Sequence, residues 1–413
     1  MTINYQKIQI IHACNDNCLF CYDKWDYMYG RASDWDFSKK DILDKIRSSY
    51  RSGETNYMIF TGWEPSMDKN IINYIQEAHD VGYEKIELIS NGVRFSDYKF
   101  CESVLKAWLT WLNISIHWHN SKIHDFLTSH TWAFQKIIIG LINLRKLNSE
   151  FEISTYIVIN NINLPYIEKI IDLLRKFKIK KFDLLQLIPF WNVLSNKYLF
   201  IRDKGILANV ISKIFEKYKN TDIFISWSHL INPAIYEWFE DKIPDLSNLL
   251  SDIDKSLWRD WKWDFENIYF NRCYDGVFCN NCYLNEYCSQ METRNNLSND
   301  NGKINLNYLN DILPILPKTY KSFKKIIQKV PKNQTIINIP SCISWRSAFF
   351  DNFSFYKEKT FREQNFSNYN KWFFKYWYLV KSLRCENCSL HKECKGVLIT
   401  IVKKYGFSIL NPR

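Results

Sequence analysis

An alternation running from residue 6 to about residue 226 constrains this chain more than any other feature. Short β-branched runs take turns with longer amphipathic ones. The strand candidates are KIQIIHA (7–13), NYMIFTG (56–62), KIELISNG (85–92), LNISIHW (112–118), FEISTYIVIN (151–160), KFDLLQLIPF (181–190) and TDIFISW (221–227). Between them, at 36–50, 67–82, 129–147, 163–179 and 205–220, apolar residues recur at three- and four-residue steps. That is the period of a helix with one buried face. Strands joined through helices pair in parallel, since a crossover is needed to bring the chain back to the same edge. Six such units predict an α/β fold, a partial (β/α)6 TIM-like barrel. In such a barrel, functional groups collect at the C-terminal ends of the strands.

The rest of the chain reads differently. Residues 228–413 are rich in Trp, Tyr and Phe and hold eight of the twelve cysteines. Two decapeptides repeat there: CNNCYLNEYC (279–288) and CENCSLHKEC (385–394) share C-x-N-C-x-L-x3-C. Upstream, Pro233 and Trp238 echo Pro340 and Trp345. Two copies of one small metal-binding unit account for this, as would convergent spacing on a biased composition. The expected domains are a core barrel over 1–227, a first cysteine module over 228–288, a polar Asn-rich linker over 289–330 and a second module over 331–413. Closely spaced thiolates need a cation to offset their repulsion. Each run supplies three, Cys279, Cys282 and Cys288 in one and Cys385, Cys388 and Cys394 in the other. Cys273 and Cys342 are the natural fourth members. Zinc knuckles would satisfy the same spacing.

With 46% hydrophobic and 24% charged residues, the chain supports a large core, which excludes global disorder. The net charge of +11 fits solvated lysines or an acidic partner such as nucleic acid or an acidic peptide leader. The start, MTINYQKIQIIHAC, lacks a basic stretch followed by a long apolar one, so no signal peptide is expected. IIIGLINL (137–144) is the longest apolar run, well short of the roughly 20 residues of a membrane span. A cytoplasmic protein with no membrane partner is expected. Twelve cysteines in a reducing compartment then point to metal binding or catalysis and not to disulfides.

Three more cysteines sit in HACNDNCLFC (12–21), at Cys14, Cys18 and Cys21. Zinc sites close with four ligands, and iron–sulfur cubes usually take four thiolates. Three thiolates leave one iron open to a substrate or cofactor, unless His12 is the fourth. The spacing C-x3-C-x2-C, with Phe20 before the last cysteine and a place just after the first strand, resembles the radical SAM superfamily. TGWEPS (61–66) ends the second strand and is similar to the family's GGEP segment through Gly62, Glu64 and Pro65, with Trp63 in place of the second glycine. ISNG (89–92) ends the third strand and is similar to the family's S/T-N-G through Ser90 and Asn91.

The resemblance implies a core [4Fe–4S] cluster on Cys14, Cys18 and Cys21 whose open iron binds S-adenosylmethionine. Reductive cleavage then yields a 5′-deoxyadenosyl radical that abstracts hydrogen. It implies that Phe20, Gly62, Glu64, Pro65, Ser90 and Asn91 lie against the cofactor, with Ser115 and Gln186 near its sugar and carboxylate. Ser115 and Gln186, like His117, Thr155 and Asn160, are also what an ordinary strand end carries. The C-x2-C-x5-C runs resemble the SPASM extension of the same superfamily, which implies two auxiliary [4Fe–4S] clusters. Where that pattern continues with a further cysteine, this chain has Glu292 and Leu398, so cluster number and ligation stay open. Cys101 reads as a small buried hydrophobe. Members with such extensions often modify ribosomally made peptides by cross-link, epimerisation or thioether. A peptide substrate, a separate leader-binding protein and an electron donor such as flavodoxin or ferredoxin are the implied partners. The alternatives are a radical SAM enzyme acting on RNA, a nucleotide, a sugar or another small metabolite, and a non-enzymatic zinc-rich binding module.

Overall fold

The computed structural model describes residues 5–21, 38–51, 55–187, 192–201, 204–226, 236–237, 239–243, 318–329, 341–344 and 379–411. The chain divides into two compact units, Met1–Ser228 and His229–Arg413.

In the first unit seven strands alternate with helices. They are β1 (Gln6–Gln9), α1 (Lys39–Arg51), β2 (Tyr57–Thr61), α2 (Ile71–Val81), β3 (Lys85–Ser90), α3 (Tyr98–Lys106), β4 (Trp111–Ser115), α4 (Ser121–Thr128), α5 (Ala133–Leu147), β5 (Glu152–Ile159), α6 (Ile167–Arg175), β6 (Lys181–Gln186), the one-turn α7 (Asn192–Ser195), α8 (Lys204–Lys217) and β7 (Asp222–Ser226). The strands form one sheet in chain order, β1 to β7, and all six pairings are parallel. This is the α/β architecture of a partial TIM-like barrel.

Register explains how the sheet is buried. Ile8 faces Phe60, Phe60 faces Leu88, Leu88 faces Leu112 and Leu112 faces Ile153. All five are buried, so one apolar row crosses five strands at a single level. Parallel sheets are covered by helices on their faces and carry near-continuous apolar strands; in β2, Tyr57, Met58, Ile59 and Phe60 are all buried. The helices supply matching stripes. In α6, Ile167, Ile170, Ile171 and Leu174 are buried, the i, i+3, i+4, i+7 set of one helical face.

Two differences from the sequence reading stand out. The chain between β4 and β5 carries α4 as well as α5. Asn120 caps α4, its side-chain oxygen accepting from the Ile123 N–H at 3.4 Å. The eight-residue helix is too short to display a full apolar period. The strand expected over 7–13 ends at Gln9, although Ile10 still donates to Thr61 O at 2.9 Å. From there the chain leaves regular strand structure but stays hydrogen-bonded to the TGWEP segment through Ile11 O and Ala13 O.

The second unit contains α9 (Tyr320–Lys329), α10 (Ser341–Ser344), the antiparallel pair β8 (Leu379–Val380) and β9 (Val397–Leu398), and α11 (Ile399–Tyr405). The range 289–330, expected as linker, ends in α9, which buries Phe323 and Ile327. Their i, i+4 spacing gives this lysine-rich stretch an apolar stripe, and both Tyr320 and Phe323 pack on Tyr405. Residues 289–317 lie outside the described residues, as does nearly all of 228–288. Among the described residues no helix is long and apolar enough to cross a membrane.

Candidate active site

Three segments leave the C-terminal ends of β1, β2 and β3 and bond to one another. The chain after β2 runs beside the chain after β1. Trp63 N donates to Ile11 O and Glu64 N to Ala13 O, both at 3.0 Å. This contact is close because residue 62 is glycine. Its φ is 144°, and a Cβ there would stand 2.6 Å from Ile11 O. The unusual conformation falls on Gly62, not on Trp63, so the tryptophan is accommodated without strain.

Glu64 ties the second segment to the third. It is fully buried. One carboxylate oxygen accepts from Ser66 N at 2.9 Å and from Ser90 Oγ at 2.8 Å; the other accepts from Asn91 N at 2.6 Å. Burial raises its pKa and these hydrogen bonds oppose the rise. Asn91 passes the connection back to the first segment, donating from Nδ2 to Asn15 Oδ1 at 2.7 Å and lying 4.0 Å from Cys14 Sγ. Pro65 opens a 3-10 turn, Pro65–Met67, in which Pro65 and Ser66 are buried and Met67 is exposed, and Arg94, in the turn after β3, donates to Ser66 O.

The cysteine loop is held from two directions. Asn17 N donates to Thr128 O at 2.8 Å and Leu19 N to Leu127 O at 2.9 Å, fixing the loop to the end of α4. Asn192 and Asn196 donate their amide groups to Cys18 O at 2.9 Å and Leu19 O at 3.2 Å. Cys14, Cys18 and Cys21 are half-buried thiols outside any disulfide. The Cys14 pKa is pushed up to about 12, chiefly by burial, with the charges of Asp16, Glu64 and Cys21 adding to it and the Asp16 N–H opposing it. A thiolate there calls for a cation, which is the chemistry an iron–sulfur cluster supplies to its ligands. Among the described residues no three His, Cys, Asp or Glu side chains stand together at metal-binding spacing. The donor set fits a cluster in type and loop position, and metal binding would have to draw the sulfurs together.

Phe20, buried, meets the edge of His117 with centroids 4.5 Å apart. His117 stacks on His124 at 5.8 Å. Val158 N donates to His117 Nδ1 and His117 N donates to His124 Nδ1, each at 3.2 Å. Both rings are thereby neutral, with the proton on Nε2. Burial holds the His117 pKa well below its usual value, His124 adding to this; burial also takes His124 down to about 4, against the pull of Asp125. Ser115 and Gln186 stand at the last positions of β4 and β6. Thr155 Oγ1, on β5, is buried without a partner. Asn160 belongs to a turn: its Oδ1 accepts from Ile162 N and Asn163 N. Cys101 is buried and donates to Phe95 O at 2.9 Å.

The roles of His124, His130 and Asp16 are not evident from strand-end reasoning. The available signal is crowding, because four of the eight histidines fall within residues 117–130.

Residues 8–174 match the family model described as Radical SAM superfamily. The first unit carries a radical SAM domain. Membership of that family implies S-adenosylmethionine and a core [4Fe–4S] cluster for this domain. Among curated proteins, the radical SAM domain is similar to "Probable GTP 3′,8-cyclase" of Saccharolobus solfataricus. The two are 26% identical over 184 residues, 44% of this chain and 56% of that one. The Sulfurisphaera tokodaii protein of the same name is 22% identical over 188 residues. The chain thus spans just over half the length of the curated relatives it matches. Among solved structures it resembles Streptococcus suis SuiB bound to S-adenosylmethionine, with a TM-score of 0.45 and 14% identity over 55% of this chain and 52% of that chain. It also resembles methylornithine synthase, with a TM-score of 0.40 and 13% identity over 54% and 64%.

The second unit holds a further set of half-buried thiols, Cys342, Cys385, Cys388 and Cys394, which likewise do not stand at metal-binding spacing. The pKa of Cys385 is raised by burial and then by the charges of Cys342, Cys394 and Cys388; that of Cys394 is raised by burial and by Cys342 and Cys388. Cys342 comes from α10, over forty positions away in sequence. The turn carrying the others is braced. Ser382 caps Leu383–Asn387, buried Glu237 accepts from Ser382 Oγ at 2.7 Å and Arg384 Nε at 2.8 Å, and His391 Nδ1 lies 2.8 Å from Cys385 O. With Nδ1 so engaged, His391 is a turn-forming residue. Cys273, Cys279, Cys282 and Cys288 lie outside the described residues.

Proposed function

We propose that Cys14, Cys18 and Cys21 hold the core cluster of this radical SAM enzyme, and that S-adenosylmethionine binds over the joined ends of β1, β2 and β3. The observation that carries the reading is the bonding of the three motif segments through Glu64, Asn91 and Asn15. When bound, the cluster and cofactor supply a 5′-deoxyadenosyl radical for hydrogen abstraction. The chain's own part is positional. Gly62 and Pro65 shape the backbone beside the thiol loop, and Glu64 and Ser90 fix Asn91 against that loop. Phe20, Ser115 and Gln186 would line the cofactor, with neutral His117 behind Phe20.

The substrate in this reading is a ribosomally made peptide, processed with the help of two auxiliary clusters. Cys342, Cys385, Cys388 and Cys394 would hold one, and Cys273, Cys279, Cys282 and Cys288 the other. Support comes from the repeated cysteine spacing and from the charge of Cys342 acting on Cys385 and Cys394. A second reading, a nucleotide substrate, has its own support in the curated relatives named as GTP 3′,8-cyclases.

The test is anaerobic reconstitution followed by S-adenosylmethionine, a low-potential reductant such as flavodoxin, and either GTP or a panel of short ribosomal precursor peptides. The expected result is 5′-deoxyadenosine formation that rises with the peptide, changes its mass and vanishes in the triple variant Cys14→Ala, Cys18→Ala, Cys21→Ala. A rise with GTP and a cyclised nucleotide product would decide for the second reading. No 5′-deoxyadenosine under any condition would overturn both.

A further inference from the structure

We propose that Asp16 and His130 form a positioning clasp that holds the Asp16 N–H on the Cys14 sulfur. Asp16 lies midway between Cys14 and Cys18, where ligand spacing alone asks for no particular side chain. It is 5% exposed, and a carboxylate that deep is costly unless it is paired. Its partner is His130, whose Nδ1 lies 2.5 Å from Asp16 Oδ1. His130 follows α4 by two residues and is itself fixed, its N–H donating to Asp125 O at 3.1 Å. The neighbouring contacts Asn17 N to Thr128 O and Leu19 N to Leu127 O lie on the same side of the loop. The clasp therefore completes a three-point attachment of the loop to the end of α4.

Its consequence is at the thiol: Asp16 N stands 3.3 Å from Cys14 Sγ. Hydrogen bonds to sulfur are among the factors that set the potential of an iron–sulfur cluster. An N–H aimed at a ligand sulfur favours the reduced, more negative form. The pair thus acts through Cys14 and not on the substrate. The potential part of this inference rests on the proposal that Cys14 is a core-cluster ligand.

Two measurements on the full chain separate the inference from that proposal. In the metal-free protein, amide hydrogen exchange is followed at Asp16, with the Cys101 N–H, held by Asp97 O, as the internal control. His130→Ala is expected to exchange several-fold faster at Asp16 with Cys101 unchanged. His130→Asn, whose amide can reach the carboxylate from the position of Nδ1, is expected to restore the slow rate. Equal Asp16 rates in wild type and His130→Ala overturn the clasp, as does Cys101 accelerating in parallel, which marks general loosening. In the reconstituted protein, His130→Ala is expected to lower the midpoint potential of the core cluster, and His130→Asn to recover it. An unchanged potential beside a changed exchange rate overturns the tuning role. If wild type takes up no iron at these thiols, the ligand assignment fails and the tuning role with it, while exchange still judges the clasp.

Discussion

Glu64 illustrates how one side chain can set a site without reaching out of it. Three donors, Ser66 N, Ser90 Oγ and Asn91 N, converge on its carboxylate inside a buried space. Glu64→Ala leaves all three without an acceptor, and each stranded group costs roughly 1–3 kcal/mol. We expect a loss of roughly 3 kcal/mol or more in urea denaturation, with S-adenosylmethionine binding lost alongside. The histidines make a second residue-scale prediction. The His124 pKa is lowered from 6.5 to about 4 in the folded chain. The unfolded chain therefore binds the extra proton first, and stability falls as pH drops from 6.5 towards 4. Between pH 7 and pH 5 this one group accounts for a loss of about 2 kcal/mol, and buried His117 acts in the same direction. A His124→Asn variant is expected to flatten that part of the pH–stability curve. A wild-type curve already flat between pH 7 and 5 would count against the buried neutral pair.

At the scale of elements, the strands place the chemistry and the helices hold the strands. The α6 stripe of Ile167, Ile170, Ile171 and Leu174 is completely buried, so Ile170→Ala removes packed methyl groups and leaves a cavity. The expected cost is about 3 kcal/mol, read as a lower midpoint in chemical denaturation with the metal-binding residues untouched. The cysteine loop is a different kind of element. It has no regular structure of its own and depends on α4 and α7 for its shape. Asn192 and Asn196 lie far from Cys18 in sequence yet donate to Cys18 O and Leu19 O. Asn196→Ala is expected to cost roughly 1 kcal/mol for the lost bonds and to speed iron release from the reconstituted protein. Release at the wild-type rate would show that the α7 contact does not support the loop.

For the whole molecule, the decisive quantity is metal content. Three cubes predict about twelve irons per chain, four per cube. Replacing Cys342 is expected to remove about four of these and leave S-adenosylmethionine cleavage in place. About eight irons in wild type would mean that one cysteine run binds zinc or nothing. About four would reduce the second unit to a structural part. Its brace of Glu237, Ser382 and Arg384 is built from distant segments, which is why no local pattern announced it.

The amino-acid sequence by itself determined the order and type of the main elements, since a parallel sheet under helices leaves its period on every strand and most helices. It also marked Cys14, Gly62, Glu64, Ser90 and Asn91, because their chemistry is tied to short contiguous motifs. Helix α4 escaped because eight residues carry too little periodicity, and α9 because its stripe is hidden among lysines. Only the tertiary structure decided that Glu64 is spent on Ser66, Ser90 and Asn91, that Phe20 lies on His117, and that Asp16 meets His130. Each of these joins residues from different crossings of the chain. Such a contact depends on where two backbones arrive, which side-chain periodicity and motif spacing do not encode.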